Sequence, residues 1–178
     1  MKTRVIVGLG NPGIMFKDTY HNAGALAVEY LAREFENGGE PVAWKARKKA
    51  FRYAAVDGCA LVLPLTFMNE SGAAVKAAMK KFSAEVKDIT LIHDESDLVI
   101  GTYKVSTGRN AAGHKGVTSV MDALGAKDFT RIRIGIRPGG ERARKQASAF
   151  VLKKITASDR RSLNTVFGTI AQSLRPPR

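Results

Sequence analysis

Three histidines, a run of carboxylates and two asparagines beside glycine- or phenylalanine-containing stretches are the residues whose types could do chemistry. His21 stands next to Asn22 in a polar segment, His93 precedes Asp94-Glu95-Ser96-Asp97, and His114 lies in Gly113-His114-Lys115-Gly116. An imidazole titrates near neutrality, and a carboxylate at hydrogen-bond range fixes its tautomer and favours its charged form. Such a pair can strip a proton from water and contributes about 10²–10⁴-fold in rate. The amides of Asn11 and Asn69 both donate and accept hydrogen bonds, which suits holding a water and a carbonyl in line. Backbone N–H groups at helix starts add a place for a developing oxyanion. His21, in its polar surroundings, reads as the functional histidine. His93 ends an apolar run and points away from Asp94 by strand alternation, so it reads as structural. His114 and Asp94 each read equally well, from position alone, as site residues or as loop and turn formers.

Other chemistries fit less well. Gly8-Leu9-Gly10-Asn11-Pro12-Gly13 matches GxGxxG after a strand, the mark of a dinucleotide site. There the helix begins within the glycines, whereas here Pro12 and Lys17-Asp18-Thr19-Tyr20 delay it to about residue 22. Glu29, about 20 residues on, sits mid-helix rather than at a strand end. No GxSxG elbow, CxxC or HExxH occurs. Magnesium on Asp94, Glu95 and Asp97 is disfavoured because alternation scatters neighbouring side chains. Direct attack by water under a histidine base remains, with no metal and no cofactor expected.

The elements that must position these residues follow from periodicity. Val5-Ile6-Val7 is a strand, and 23–35 carries Leu26, Tyr30, Leu31 and Phe35 on one helical side. Phe51 to Val56 and Cys59 to Leu63 flank Asp57-Gly58 as a hairpin, ended by Pro64. Val75, Ala78, Met79 and Phe82, and again Val117, Val120, Met121 and Leu124, repeat at i, i+3, i+4, i+7. Ile89 to Ile92 and Thr102 to Ser106 read as strands. Ile132, Ile134 and Ile136 alternate with Arg131, Arg133 and Arg137, one apolar and one basic face. A last helix carries Leu163, Val166, Phe167, Ile170 and Leu174, capped by Thr156 or Ser158. Strands alternating with helices predict a three-layer α/β sandwich: a twisted, mixed but mostly parallel sheet flanked by helices, one domain over 1–178. Sites in such sheets form beyond the carboxyl ends of strands, where these polar residues gather.

Charge narrows the partner. Lys plus Arg is 29 against 16 acids, a net charge of +13, and a field of that sign attracts polyanions. The cations cluster in the 45–52 run beside Trp44, in Arg131, Arg133 and Arg137, and in Arg142, Arg144 and Lys145. Such patches meet phosphates rather than bases, and no RNP1 or zinc-finger pattern occurs. No apolar run nears the roughly 20 residues that span a bilayer, and none serves as a signal-peptide core. The one cysteine, Cys59, lies in an apolar run and reads as a buried small hydrophobe of a reducing compartment.

Taken together, Gly10-Asn11-Pro12-Gly13, His21-Asn22-Ala23-Gly24, Thr66-Phe67-Met68-Asn69-Glu70-Ser71-Gly72, His93-Asp94-Glu95-Ser96-Asp97-Leu98, Gly113-His114-Lys115-Gly116 and Arg131-Ile132-Arg133-Ile134-Gly135-Ile136 resemble the bacterial-type peptidyl-tRNA hydrolases, in that family's order to about Leu152. The resemblance implies a monomeric, cytoplasmic enzyme that cuts the ester between a peptide and the terminal ribose of tRNA. It implies His21 as general base with Asp94 as its carboxylate partner, and Asn11 beside the peptide, helping to tell blocked from free amino ends. It implies Asn69 positioning substrate and water, Phe16 and Phe67 beside the acceptor end, and Arg133 on a tRNA phosphate. This chain departs from the family pattern at Lys115, where asparagine is usual, and at Ser106, where many members carry a phosphate-clamping lysine that Lys104 would replace. Phe16 stands for a common tyrosine, and Tyr20 for a frequent arginine. These departures leave a second class, a non-catalytic RNA-binding relative on the same scaffold. The retained Asn11, His21, Asn69 and Asp94 argue against it, since binding alone needs no general base.

Overall fold

The structure, a computed structural model, describes residues 3–35, 42–56, 58–139 and 147–175. Its elements are β1 (Arg4–Gly8), α1 (Ala23–Glu34), β2 (Lys45–Arg47), β3 (Phe51–Val56), β4 (Cys59–Pro64), α2 (Ser71–Phe82), β5 (Ile89–Val99), β6 (Tyr103–Thr107), α3 (Lys115–Leu124), β7 (Thr130–Arg137), α4 (Ala147–Phe150) and α5 (Ala157–Leu174). The seven strands form one sheet in the order β2-β3-β4-β1-β5-β7-β6. The central pairs β4/β1, β1/β5 and β5/β7 are parallel, and β2/β3, β3/β4 and β6/β7 are antiparallel.

Alternation along the buried strands divides the apolar residues between two cores. Ile6, Leu61, Leu63, Ile132, Ile134 and Ile136 face Ala27, Val28 and Leu31 of α1 and Leu163, Phe167 and Ile170 of α5. Val5, Val7, Ala60, Val62, Ile89 and Leu91 face Ala74, Val75 and Ala78 of α2 and Val117 and Val120 of α3. Each fully buried large aliphatic or aromatic side chain contributes roughly 1.5–3 kcal/mol, so both helical layers are locked to the sheet. This is the expected three-layer mixed sandwich.

The differences from expectation are local. β5 runs on to Val99, so His93 to Asp97 are strand rather than loop. On one side β1 pairs with β5 only as far as Gly8 opposite Ile92; on the other, β7 pairs on through Glu95 opposite Gly135. Asp94 therefore stays in the ladder while the chain of β1 turns away and opens a crevice beside it. The basic run at 45–52 is folded into the sheet: Lys45–Arg47 is an edge strand on β3, and cations on an edge deter pairing with other chains. Arg131 corrects the expected basic stripe. It is buried and holds the carbonyls of Arg109 and Asn110 at 2.9 and 3.1 Å. Its partners are backbone oxygens, so its charge is spent inside the fold. Thr156 is the cap of α5, accepting from the Asp159 N–H at 3.1 Å. Arg142, Arg144 and Lys145 lie outside the described residues.

Candidate active site

Two glycines bring the candidate catalytic segments together. A Cβ on Gly24 would lie 2.2 Å from the Ile92 carbonyl oxygen, so only glycine lets the first turn of α1 sit on β5. A Cβ on Gly116 would lie 2.4 Å from Met68 Sδ, so α3 starts hard against the 3₁₀ turn Met68–Glu70. The segment before α1 is strapped to the far end of the chain. Thr19 bridges to Lys154, Tyr20 donates to Asp159 at 2.5 Å, and the Tyr20 ring stacks on Phe150.

These constraints set His21 against β5. Its Nδ1 lies 2.9 and 3.0 Å from the two oxygens of Asp94, which is buried. His114 Nε2 lies 2.8 Å from the same Asp94 Oδ1. His114 also caps α3: its Nδ1 accepts from the Val117 N–H at 3.3 Å. A nitrogen that accepts carries no proton, so His114 donates to Asp94 through Nε2. Asp94 thus takes one N–H from each imidazole. With Nδ1 of His21 donating, its Nε2 keeps an open lone pair, unclaimed by any partner among the described residues.

The charges follow the geometry. Burial would raise the Asp94 pKa, but the charge and hydrogen bonds of His114 and His21 overcome it and hold the carboxyl well below the usual range. Burial would lower the His21 pKa; the charge and hydrogen bond of Asp94 outweigh it and raise the group above 6.5, while Lys115 pulls it back down. His93 goes the other way. Burial is the main cause, with His114 adding to it, and its pKa falls well below 6.5. His93 is neutral, donates through Nδ1 to the Asp94 carbonyl oxygen at 2.7 Å, and sets its ring edge-on to His114 at 4.7 Å. The structural role expected for it fits this geometry.

The asparagines frame the crevice. Asn11 Oδ1 accepts from the Met68 N–H at 2.8 Å, and Asn22 grips the Asn11 backbone by both its N–H and its C=O, at 2.9 and 3.0 Å. With Oδ1 used, the Asn11 amide offers its N–H donors. Asn69 is exposed in the 3₁₀ turn next to Met68, and Phe67 packs edge-on to Phe16 with ring centres 6.2 Å apart. Lys115 is exposed at the first residue of α3. Lys104 and Arg133 are paired across β6 and β7, with β7 next to the β5 strand that carries Asp94. Arg133 is braced by Glu95 through Nε and a terminal nitrogen, both at 2.9 Å. Glu95 is thereby tied to arginine and is separate from Asp94, so no three-carboxylate centre forms at 94–97.

The ligand atoms of His21, Asp94 and His114 lie within 4.8 Å of one another. Both imidazoles end on one carboxylate oxygen at N–H···O length, whereas zinc ligands stand about 2.0–2.2 Å from an ion between them. The trio is joined by hydrogen bonds.

The sequence left His114 undecided and did not single out Asn22. The spacing of His114 from Lys115 and the α3 start was visible; its second bond, to Asp94, needs the fold.

The peptidyl-tRNA hydrolase family model matches residues 5–176. The chain belongs to the peptidyl-tRNA hydrolase family. A peptidyl-tRNA hydrolase of Mycobacterium sp. (strain KMS) is 39% identical over 168 residues, 91% of this chain and 83% of that protein. One of Marinobacter nauticus is 39% identical over 175 residues, covering 96% and 86%. The crystal structure of peptidyl-tRNA hydrolase from Acinetobacter baumannii superposes with a TM-score of 0.83 at 30% identity, covering 96% of this chain and 86% of that one. Among the described residues no helix is long and apolar enough to cross a membrane.

Proposed function

We propose that this chain hydrolyses the ester joining a peptide, or an N-blocked amino acid, to the terminal ribose of tRNA, with His21 as general base. The observation that carries the mechanism is Asp94 holding His21 through Nδ1, which leaves Nε2 to work on a water. His21 Nε2 takes a proton as the water oxygen bonds to the ester carbonyl carbon. The tetrahedral intermediate then collapses, the carbon–ribose oxygen bond breaks, and the same proton passes to the leaving ribose oxygen. The products are a free carboxyl and a tRNA with a free hydroxyl. Asp94 stabilises the imidazolium formed between these steps.

The start of α3 and the Lys115 ammonium supply positive potential for the oxyanion. Asn69 positions substrate and water, and Phe16 and Phe67 lie beside the acceptor end. Asn11 supports selection of blocked amino ends: its free donors pair with an amide carbonyl, whereas a free ammonium offers donors only. Lys104 and Arg133 face tRNA phosphate. The enzyme works as a cytoplasmic monomer and without a cofactor. The non-catalytic alternative is disfavoured because a buried carboxylate aligned on an open imidazole serves no binding purpose.

The test is release of N-acetyl-aminoacyl groups from tRNA by the purified protein, against the unblocked aminoacyl-tRNA, with His21→Ala beside it. Preferential cleavage of the blocked ester, lost by at least about 10²-fold in the variant while tRNA binding persists, is expected. Binding without cleavage by the unaltered protein would establish the non-catalytic alternative.

A further inference from the structure

Two adjoining cavities lie at the β6/β7 side of the sheet, beyond the histidine–carboxylate site. One, about 420 Å³, is lined by Gly108, Arg109, Asn110, Ala112, Lys127, Arg131 and Arg133. The other, about 460 Å³, is lined by Asp97, Leu98, Lys104, Val105, Ser106, Thr107, Arg109 and Arg133. Arg109 and Arg133 belong to both, so they form the ridge between them. Among the described residues, Asp97 is the one carboxylate in either lining.

The two ridge arginines differ in how free they are. Arg133 is mostly buried and spends two N–H groups on Glu95. Arg109 is exposed, and among the described residues no carboxylate or carbonyl takes its guanidinium. Its backbone, by contrast, is fixed, because the buried Arg131 holds the carbonyls of Arg109 and Asn110. A planar fork of five donors on a pinned loop suits bidentate contact with phosphate.

Two further groups ask for an anion. Arg131 Nε and Ser106 Oγ are buried and have no hydrogen-bond partner among the described residues, and each belongs to a residue lining one cavity. Leaving a buried donor unpaired costs about 1–3 kcal/mol. The three arginines gather positive charge: Arg131 is pushed down first by burial and then by Arg133, with Glu95 raising it and Arg109 lowering it. A phosphate on the ridge offsets the positive charge gathered there.

We propose that Arg109, held in place by Arg131, is the principal phosphate-gripping residue for the RNA, with Lys104 and Ser106 completing one seat and Lys127 the other. Arg109 takes the part expected of Lys104 or of the lysine absent at Ser106, and Arg133 is a braced secondary contact. The inference rests on tRNA being the substrate.

The test measures binding of deacylated tRNA against salt for the unaltered protein, for Arg109→Gln, and for Lys80→Gln as an exposed cation on α2. Arg109→Gln is expected to weaken binding about tenfold at low salt and to flatten the slope of log K against log salt by roughly 0.9. Lys80→Gln should leave the slope as it was. Cleavage of an N-acetyl-aminoacyl-adenosine fragment, which has no RNA body, should be unchanged in Arg109→Gln. An unaltered slope in Arg109→Gln, an equal change in Lys80→Gln, or loss of fragment cleavage overturns the assignment. Repeating the titration with 5′-dephosphorylated tRNA locates the grip. If the variant's defect vanishes, the gripped group is the terminal monoester; if it persists, it is an internal diester, and either outcome supports the seat. No cleavage of any ester by the unaltered protein sinks the substrate reading, whereas an intact hydrolase with an unchanged slope sinks only this one.

Discussion

Replacing Asp94 by asparagine keeps the shape of the side chain and removes its charge. In the structure Oδ1 receives both imidazoles, at 2.9 Å from His21 and 2.8 Å from His114, and Oδ2 lies 3.0 Å from His21 Nδ1. An asparagine oxygen at the Oδ1 position still accepts both N–H groups, but its NH₂ then confronts the His21 N–H. The imidazole must turn or switch tautomer, and the open nitrogen is no longer held towards water. The imidazolium formed in the transition state also loses its counter-charge. Two unit charges about 4 Å apart at an effective dielectric of about 20 attract by roughly 4 kcal/mol, or about 10³-fold in rate. Asp94→Asn should therefore lower kcat about 10³-fold on N-acetyl-aminoacyl-tRNA, with KM little changed because Asp94 is buried beneath the crevice. The acid limb of the rate profile should move as well. Asp94 supplies the causes that raise the His21 pKa; without it, burial and Lys115 remain, and both lower it. The base then stays unprotonated to lower pH, so the limb shifts to more acidic values. A folded variant with kcat within tenfold of the parent, or with an acid limb unmoved or moved upward, refutes the reasoning.

His114 has two jobs that separate by substitution. His114→Gln can still reach Asp94 and should keep turnover within about threefold, while His114→Asn can still cap α3 but abandons a buried carboxylate and should lose about tenfold or more; equal rates for the two would dissociate the Asp94 contact from catalysis. Lys115→Asn removes a cation that lowers the His21 pKa, so its acid limb should move upward and its deficit should be larger at pH 6 than at pH 8, read from kcat across that range. His93 is neutral in the fold but charges in the unfolded chain below about pH 6.5. Its depressed folded pKa therefore removes stability on acidification, by up to about 1.36 kcal/mol per pH unit, starting at the unfolded value and ending at the folded one. In His93→Gln, urea unfolding at pH 7 and pH 5 should differ by roughly 1–2 kcal/mol less than in the parent; an identical difference would mean that His93 is protonated in the native state. Hydrolysis should continue in chelator, and a loss reversed by a divalent ion would return the His21, Asp94 and His114 group to consideration as a metal centre.

The periodic parts of the fold were legible because two cores demand them. Ile6 against Val5 and Val7, or Leu61 against Ala60 and Val62, alternate because each strand is buried on both faces. The i, i+3, i+4 spacing in α2 and α3 follows from each helix burying one side. Departures came where a partner, not a pattern, decides. Asp94 and Glu95 carry no strand signature, yet β7 supplies their ladder. Arg131 alternates like a surface cation, yet it is buried because two loop carbonyls need its donors. The convergence of His21, Asn11 and Asp94 was anticipated from the carboxyl ends of strands. The bond between His114 and Asp94 was not, since it depends on how closely Gly116 lets α3 approach Met68.

The cations near His21 pose one electrostatic problem. The chain carries a net charge of +13, and a strongly positive field makes a protonated histidine costly. Lys115 adds to that cost at the site itself, and yet the His21 pKa ends above its ordinary value. One buried carboxylate reverses the balance, because burial strengthens its pull on the imidazole as surely as it penalises its own ionisation. The penalty is met by His114, whose N–H stabilises the Asp94 charge without competing for the face of His21 that meets water. The geometry fixes which nitrogen does this, because His114 Nδ1 accepts from the Val117 N–H while its Nε2 lies 2.8 Å from Asp94 Oδ1. On the proposed reading, the chain thus keeps cations at Lys115 and Arg109 to draw in a polyanion while Asp94 still holds the His21 pKa above its ordinary value.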